Sequence, residues 1–195
     1  MLIIAVTGKI GSGKSLVSHY LQKKGAYYID MDILSSEIRK EQKVIKAIKK
    51  RFGSDVFTKD ELDTKKLRNI IFNDEKQRIK LNNIMWPLLK KMLRSQIKNH
   101  NDDALIVIEA AVLLQAGWYK YVDKIIYVTS QWESRVKRIV KRDHSSVEEI
   151  VNISHQQDDY ETFKDIIDYV IVNDESIKEL YYQVDEIFEK EQWKI

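Results

Sequence analysis

The chain has 195 residues, 44% hydrophobic and 32% charged, with a formal net charge of +3 and a pI near 8.8. That is enough apolar material for one domain with room for a subdomain or lid, and it excludes disordered, collagen-like and low-complexity classes. One Pro and six Gly are too few for the frequent turns of a β-sandwich, and the absence of Cys excludes disulfides, thiolate metal sites and a Cys nucleophile. The mild positive excess suits anionic ligands, but Lys and Glu are interspersed rather than gathered into the basic stripe of a nucleic-acid binder. The apolar opening Met1–Val6 lacks the basic leader and cleavage site of a signal peptide. The run from Ala104 to Leu114 is interrupted by Glu109 and is too short to cross a bilayer. The expectation is a cytoplasmic protein with no membrane or nucleic-acid partner; the sequence carries no signal for oligomeric state.

Five short runs read as strands: Leu2–Val6, Ala26–Ile29, Leu105–Glu109, Lys124–Val128 and Tyr169–Val172. Each is almost continuously apolar, as in strands covered on both faces of a parallel sheet. Helical stripes lie between them, with Leu16, Val17, Tyr20 and Leu21 marking one and Val136, Ile139 and Val140 another. Alternating strand and helix predicts a doubly wound α/β fold on a five-stranded parallel sheet. The second and third strands are about seventy residues apart, far more than a crossover needs. Ile79, Ile84, Leu88, Leu89, Met92, Leu93 and Ile97 recur at helical spacing there, as do Ile33, Ile38, Val44, Ile45 and Ile48. One domain over 1–195 is therefore expected. Its core comprises 1–32 and 101–195, with a helical insertion at 33–100 and a charged, lid-like stretch at 138–164.

The first strand runs into Thr7-Gly8-Lys9-Ile10-Gly11-Ser12-Gly13-Lys14-Ser15, which fits G-x-x-x-x-G-K-[ST] from Gly8 to Ser15. A loop that wraps a phosphate must turn successive N–H groups inward, using backbone shapes open to Gly. Half of the chain's six glycines fall in this loop. The helix that follows adds its N-terminal donors. Gly8, Gly11, Ser12, Gly13, Lys14, Ser15 and Leu16 are thus the expected nucleotide-binding set. In it Lys14 is the charge for the β- and γ-phosphates and the Ser15 hydroxyl is a Mg²⁺ ligand.

The second strand leads into Asp30-Met31-Asp32, where a carboxylate can take the proton of an attacking hydroxyl. Asp32 can equally cap a helix beginning at Ile33. Glu109 ends the third strand, where phosphate-loop enzymes place a metal-side acid; a solvent-facing carboxylate is the alternative. Arg138 and Arg142 are one helical turn apart after the fourth strand. One guanidinium there can stack on a base and the other neutralise the transferring phosphate, or both can belong to a solvated basic face with Arg135, Lys137 and Lys141. The four His residues show no metal spacing. No N-K-x-D motif occurs, which argues against a GTP switch.

Over nearly its whole length the chain resembles the dephospho-coenzyme A kinases. The likeness rests on the phosphate loop, Ile29-Asp30-Met31-Asp32, Leu67-Arg68-Asn69-Ile70-Ile71-Phe72, Pro87-Leu88-Leu89, Leu113-Leu114-Gln115-Ala116-Gly117, Arg138 to Asp143, and Val170-Ile171-Val172-Asn173. It implies a P-loop kinase fold whose 33–100 insertion serves the acceptor, and Mg²⁺- and ATP-dependent phosphorylation of the ribose 3′-hydroxyl of dephospho-coenzyme A. Another small-molecule or nucleotide kinase of this fold is the alternative. The likeness further implies Asp32 as general base, Lys14 and Arg142 as catalytic cations, and Ser15 and Glu109 as metal ligands. It puts Arg138, Arg142 and Asn173 on the ATP side, and Asp32, Arg68, Leu113 and Gln115 on the acceptor side. Against the family pattern, Lys9 stands for a Gly, Leu16 for a Thr, Trp86 for a His, Ala111 for a Pro, Gln115 for a Glu and Glu109 for an Asp. The departures at Trp86, Ala111 and Gln115 fall on the acceptor side.

Overall fold

The computed structural model describes residues 1–193, so positions 194–195 of the expected core lie outside the described residues. The chain divides into two compact units, one of Met1–Asp30 with Gln96–Ile195 and one of Met31–Ser95.

The first unit holds β1 (Leu2–Thr7), α1 (Lys14–Lys23) and β2 (Tyr27–Asp30). The second holds α2 (Met31–Arg39), α3 (Gln42–Phe52), β3 (Phe57–Thr58), β4 (Glu61–Leu62), α4 (Thr64–Asn73) and most of α5 (Glu75–Asn99). The first unit then resumes with β5 (Leu105–Glu109), β6 (Lys124–Thr129), α6 (Trp132–Asp143), α7 (Val147–His155), α8 (Tyr160–Phe163), β7 (Tyr169–Val172) and α9 (Ile177–Lys190).

Five strands of the first unit form one parallel sheet in the order β2-β5-β1-β6-β7. Side chains alternate between faces with a period of two. One face carries Ile4, Val6, Leu105, Val107, Ile126, Val128 and Ile171, all buried in one cluster with Val17 and Leu21 of α1 and Leu180, Val184 and Phe188 of α9. The intervening Ile3, Ala5, Ile106, Ile108, Ile125 and Tyr127 are buried as well, which is why these strands read as unbroken apolar runs. α1 is tied to α9 through the stacked rings of Tyr20 and Tyr181, 4.0 Å apart, and through Asp185, which accepts from Tyr20 and pairs with Lys24 at 2.8 Å.

In the second unit Leu34, Ile38, Val44, Ile48, Val56, Leu67, Leu81, Met85, Leu89 and Leu93 are buried. The unit is not all helix, as 33–100 is expected to be. Phe57–Thr58 and Glu61–Leu62 pair as an antiparallel hairpin whose turn residues, Lys59 and Asp60, have φ of 51° and 65°. Two-residue strands are too short to leave a periodic trace in sequence, and the turn lacks the Gly or Asn that would mark it. Asp63 closes the hairpin and starts α4, accepting from the N–H groups of Lys65 and Lys66 and from Thr58. No helix among the described residues is long and apolar enough to cross a membrane.

Leu21 is fully buried between α1 and the sheet, whereas Ile79 is 48% exposed. Leu21→Ala is expected to cost about 2–5 kcal/mol in a urea titration and Ile79→Ala less than about 0.5 kcal/mol.

Candidate active site

After Thr7 the chain leaves the carboxyl edge of β1 as a loop that ends in the first turn of α1. Gly13 caps that helix with φ of 105°, and a Cβ there would strike the side-chain amide of Asn173. A Cβ on Gly8, at φ 138°, would strike the carbonyl of Val128. These two glycines are required by close approach as well as by backbone shape.

The loop is braced by two side chains. Asn173, just past β7, donates its side-chain N–H to the Ser12 carbonyl at 2.8 Å, and its own backbone N–H donates to Thr129 at 2.8 Å. Arg138 of α6 donates to the Gly11 carbonyl at 3.2 Å, to Ser130 Oγ at 3.0 Å and to the Asn173 carbonyl at 2.7 Å. Its terminal nitrogens are thus committed to loop and strand-end oxygens. Arg142, one turn on, makes a bidentate pair with Asp143 at 2.7 and 2.8 Å, and its side chain is largely exposed. The two arginines that sequence spacing sets side by side therefore have different surroundings. Lys14 Nζ donates to the Lys9 carbonyl at 3.2 Å, across the loop's own concavity. Leu16 is partly exposed, while the Ser12 hydroxyl is buried without a partner among the described residues.

Glu109 ends β5 opposite Asp30 of β2, on the sheet face that α1 covers. It is 8% exposed, and a carboxylate so placed needs hydrogen bonds. Ser15 donates to its Oε1 at 2.6 Å and Tyr28 donates to its Oε2 at 2.7 Å. Burial and the carboxylate of Glu109 hold the Tyr28 phenol far above its ordinary value, so it stays a donor. Ser15 and Glu109 offer adjacent hard oxygen donors, the type that Mg²⁺ takes.

A third group meets the loop from residues 157–159, between α7 and α8. Ile10 N–H donates to Gln157 Oε1 at 2.5 Å, and Lys9 pairs with Asp159 at 2.8 Å. The Asp158 carboxylate is buried and accepts from Thr7 at 3.2 Å and from the N–H groups of Leu114 and Gln115 at 2.8 and 3.0 Å. The Gln115 side chain donates to the Gln156 carbonyl at 2.8 Å, and that of Leu113 is fully buried in the core. Nothing local in the sequence marks Gln157 and Asp158. They sit in a charged run with no local pattern, and only the fold delivers them to the loop.

Asp32 and Arg68 belong to the second unit. α2 starts at Met31, directly after β2, so Asp32 lies inside its first turn rather than capping a helix at Ile33. There its charge complements the helix dipole. Arg39, on the same helix, is held below its ordinary pKa chiefly by burial, with Asp32 opposing that shift and Arg68 adding to it. Arg39 thus feels the charges of both Asp32 and Arg68.

Burial pushes the Asp158 carboxyl above its ordinary 3.8, against the pull of the two backbone donors. Between 3.8 and the raised value the folded chain keeps a proton that the unfolded chain has released. Stability from this group therefore falls as pH rises through that window. The advantage of the wild type over Asp158→Asn in urea midpoints should shrink across it.

Residues 2–179 match the family described as CoaE, dephospho-CoA kinase. The dephospho-CoA kinase of Aquifex aeolicus is 36% identical over 189 residues, covering 96% of each chain. That of Fusobacterium nucleatum is 32% identical over 190 residues, covering 97% of this chain and 98% of the other. Among solved structures, TT1252 from Thermus thermophilus superposes with a TM-score of 0.83 at 25% identity over 97% of both chains. The dephospho-CoA kinase of Campylobacter jejuni gives 0.65 at 24% identity over 96% of both, which supports the fold alone. With a braced phosphate loop followed by a hydroxyl and a carboxylate in contact, and with these relatives spanning nearly its whole length, the chain belongs to the dephospho-CoA kinase family of P-loop kinases.

Proposed function

We propose that this kinase transfers the γ-phosphoryl group of ATP to the ribose 3′-hydroxyl of dephospho-coenzyme A, the last step of coenzyme A synthesis. The observation that carries the reading is the 2.6 Å contact of Ser15 with Glu109 beside the phosphate loop, in a chain of this family. It pairs a hydroxyl and a carboxylate at the side of the loop where a triphosphate's metal ion belongs.

In this reading the loop N–H groups and the N-terminus of α1 hold the phosphates. Lys14 leaves the Lys9 carbonyl for the β- and γ-phosphates, exchanging a neutral acceptor for charged ones. Ser15 and Glu109 hold Mg²⁺, which neutralises charge on the phosphate oxygens when bound. Asp32 accepts the proton of the 3′-hydroxyl, and Arg142 gives up Asp143 to face the developing charge. Arg138 and Asn173 serve ATP through the shape of the loop that they brace. Arg68, Leu113 and Gln115 belong to the acceptor side, Leu113 only by anchoring the 110–117 loop through its buried side chain and Gln115 by fixing that loop through its bonds to Asp158 and Gln156. The 33–100 insertion carries the acceptor, and the 138–164 stretch serves as lid over the 1–32 and 101–195 core.

The test is ADP release with Mg²⁺-ATP against dephospho-coenzyme A, AMP, CMP and shikimate. Turnover is expected with the first alone, and turnover confined to a nucleotide monophosphate would reject the reading. Lys14→Ala is expected to lower kcat by roughly 10²-fold or more with the fold intact by circular dichroism. Asp32→Asn should lose about 10²–10⁴-fold in kcat at nearly unchanged thermal stability. Retained activity there would leave Asp32 with its helix-dipole role alone.

A further inference from the structure

Tyr28 belongs to none of the expected site residues, yet its hydroxyl sits where two acidic side chains converge. It lies 2.7 Å from Glu109 Oε2 and 3.2 Å from Asp30 Oδ2. The placement follows from the sheet. Tyr28 and Asp30 are two residues apart on β2 and share a face, and the parallel register sets Asp30 beside Glu109 of β5. The ring of Tyr28 packs on the apolar cluster under α1 and meets His19 edge-on at 5.1 Å between centroids. The phenol is therefore a fixed donor on a packed ring, aimed at the outer oxygen of the carboxylate whose inner oxygen meets Ser15.

We propose that Tyr28 is a positioning residue for the metal side of this site. By holding Glu109 Oε2 it keeps Oε1 at the Ser15 hydroxyl, where a divalent cation bound with the nucleotide would find both donors in place. The inference rests on the kinase reading and extends it. Glu109 is one methylene longer than an aspartate, and that methylene adds a torsion that an Asp would not have to fix. A carboxylate with that freedom is a poor preset ligand unless a second partner orients it, and oriented partners of metal ligands commonly change metal affinity by about 10–100-fold. A phenol has one proton to give, and the shorter contact directs it to Glu109 rather than Asp30. Tyr28 touches neither phosphate nor acceptor in this account and acts only through Glu109.

The experiment titrates Mn²⁺ into the enzyme with ADP, reading free Mn²⁺ by electron paramagnetic resonance, for wild type and Tyr28→Phe. ADP binding in EDTA is measured beside it by calorimetry. The expected result is Mn²⁺ affinity about tenfold or more weaker in Tyr28→Phe, with metal-free ADP binding unchanged. In a Glu109→Asp background, whose carboxylate is drawn back by about one carbon–carbon bond (~1.5 Å), Tyr28→Phe should cause no additional loss. A Tyr28→Phe protein with a lowered thermal midpoint but wild-type Mn²⁺ affinity would overturn the inference and leave Tyr28 as packing. An equal loss in both backgrounds would overturn it too. Wild-type enzyme that binds no Mn²⁺ with ADP would remove the kinase reading of the site, and the inference with it. Tyr28→Leu, which also lacks the hydroxyl, supplies the same comparison if the phenylalanine variant does not fold.

Discussion

A phosphate loop is backbone that turns its N–H groups toward an empty space, and such a segment holds its shape only if its carbonyls are held from the other side. Here Asn173 and Arg138 do that holding. Asn173 binds the Ser12 carbonyl and Arg138 binds the Gly11 carbonyl, while the arginine also takes the carbonyl of Asn173 itself. Three elements distant in sequence, the loop after β1, the helix after β6 and the end of β7, are thereby joined by charge-assisted and amide hydrogen bonds. The absence of a side chain at Gly13 is what lets the Asn173 amide approach. Loop glycine and distant asparagine form one structural feature.

The same edge of the sheet concentrates acids. Glu109 and Asp158 are almost fully buried, and each is satisfied by donors from more than one element: Ser15 and Tyr28 for the first, Thr7, Leu114 and Gln115 for the second. A buried carboxylate without such donors would be costly. With them, each acts as a joint with a defined direction. Asp158 links the end of β1 to the loop after β5, and its neighbours Gln157 and Asp159 hold Ile10 and Lys9 of the phosphate loop. The phosphate loop and the 110–117 loop thus share one anchoring segment within the first unit.

Charge placement also explains why Arg138 and Arg142 diverge despite equivalent spacing. On α6 both project to one side, but Arg138 lies over the Gly11 and Asn173 carbonyls whereas Arg142 lies a turn farther along, beside Asp143. Arg135, a turn earlier, donates to Ser154 and is held below its ordinary pKa by burial. A basic helical face thus divides into a structural part and an exposed part, and helical periodicity alone does not tell them apart.

Much of this protein is determined locally. The five strands announce themselves because burial on both faces demands unbroken apolar runs, and the phosphate loop announces itself because its backbone demands Gly at fixed intervals. Lys14, Ser15 and Glu109 stand out as candidates by their places relative to that loop and to a strand end, and the fold brings Ser15 and Glu109 into contact. Tertiary structure alone decides which distant groups complete them. That Tyr28 meets Glu109 depends on the register of β2 on β5, that Asn173 meets Ser12 depends on β7 lying two strands from β1, and that Asp158 meets Thr7 depends on the path of the chain after α7. The hairpin at Phe57–Leu62 is likewise a tertiary outcome, because two-residue strands carry no period in the sequence. Periodicity and turn chemistry act over a few residues and are written in the chain. Hydrogen bonds between residues 81 to 161 positions apart are set by how the sheet is ordered and packed, which no local pattern encodes.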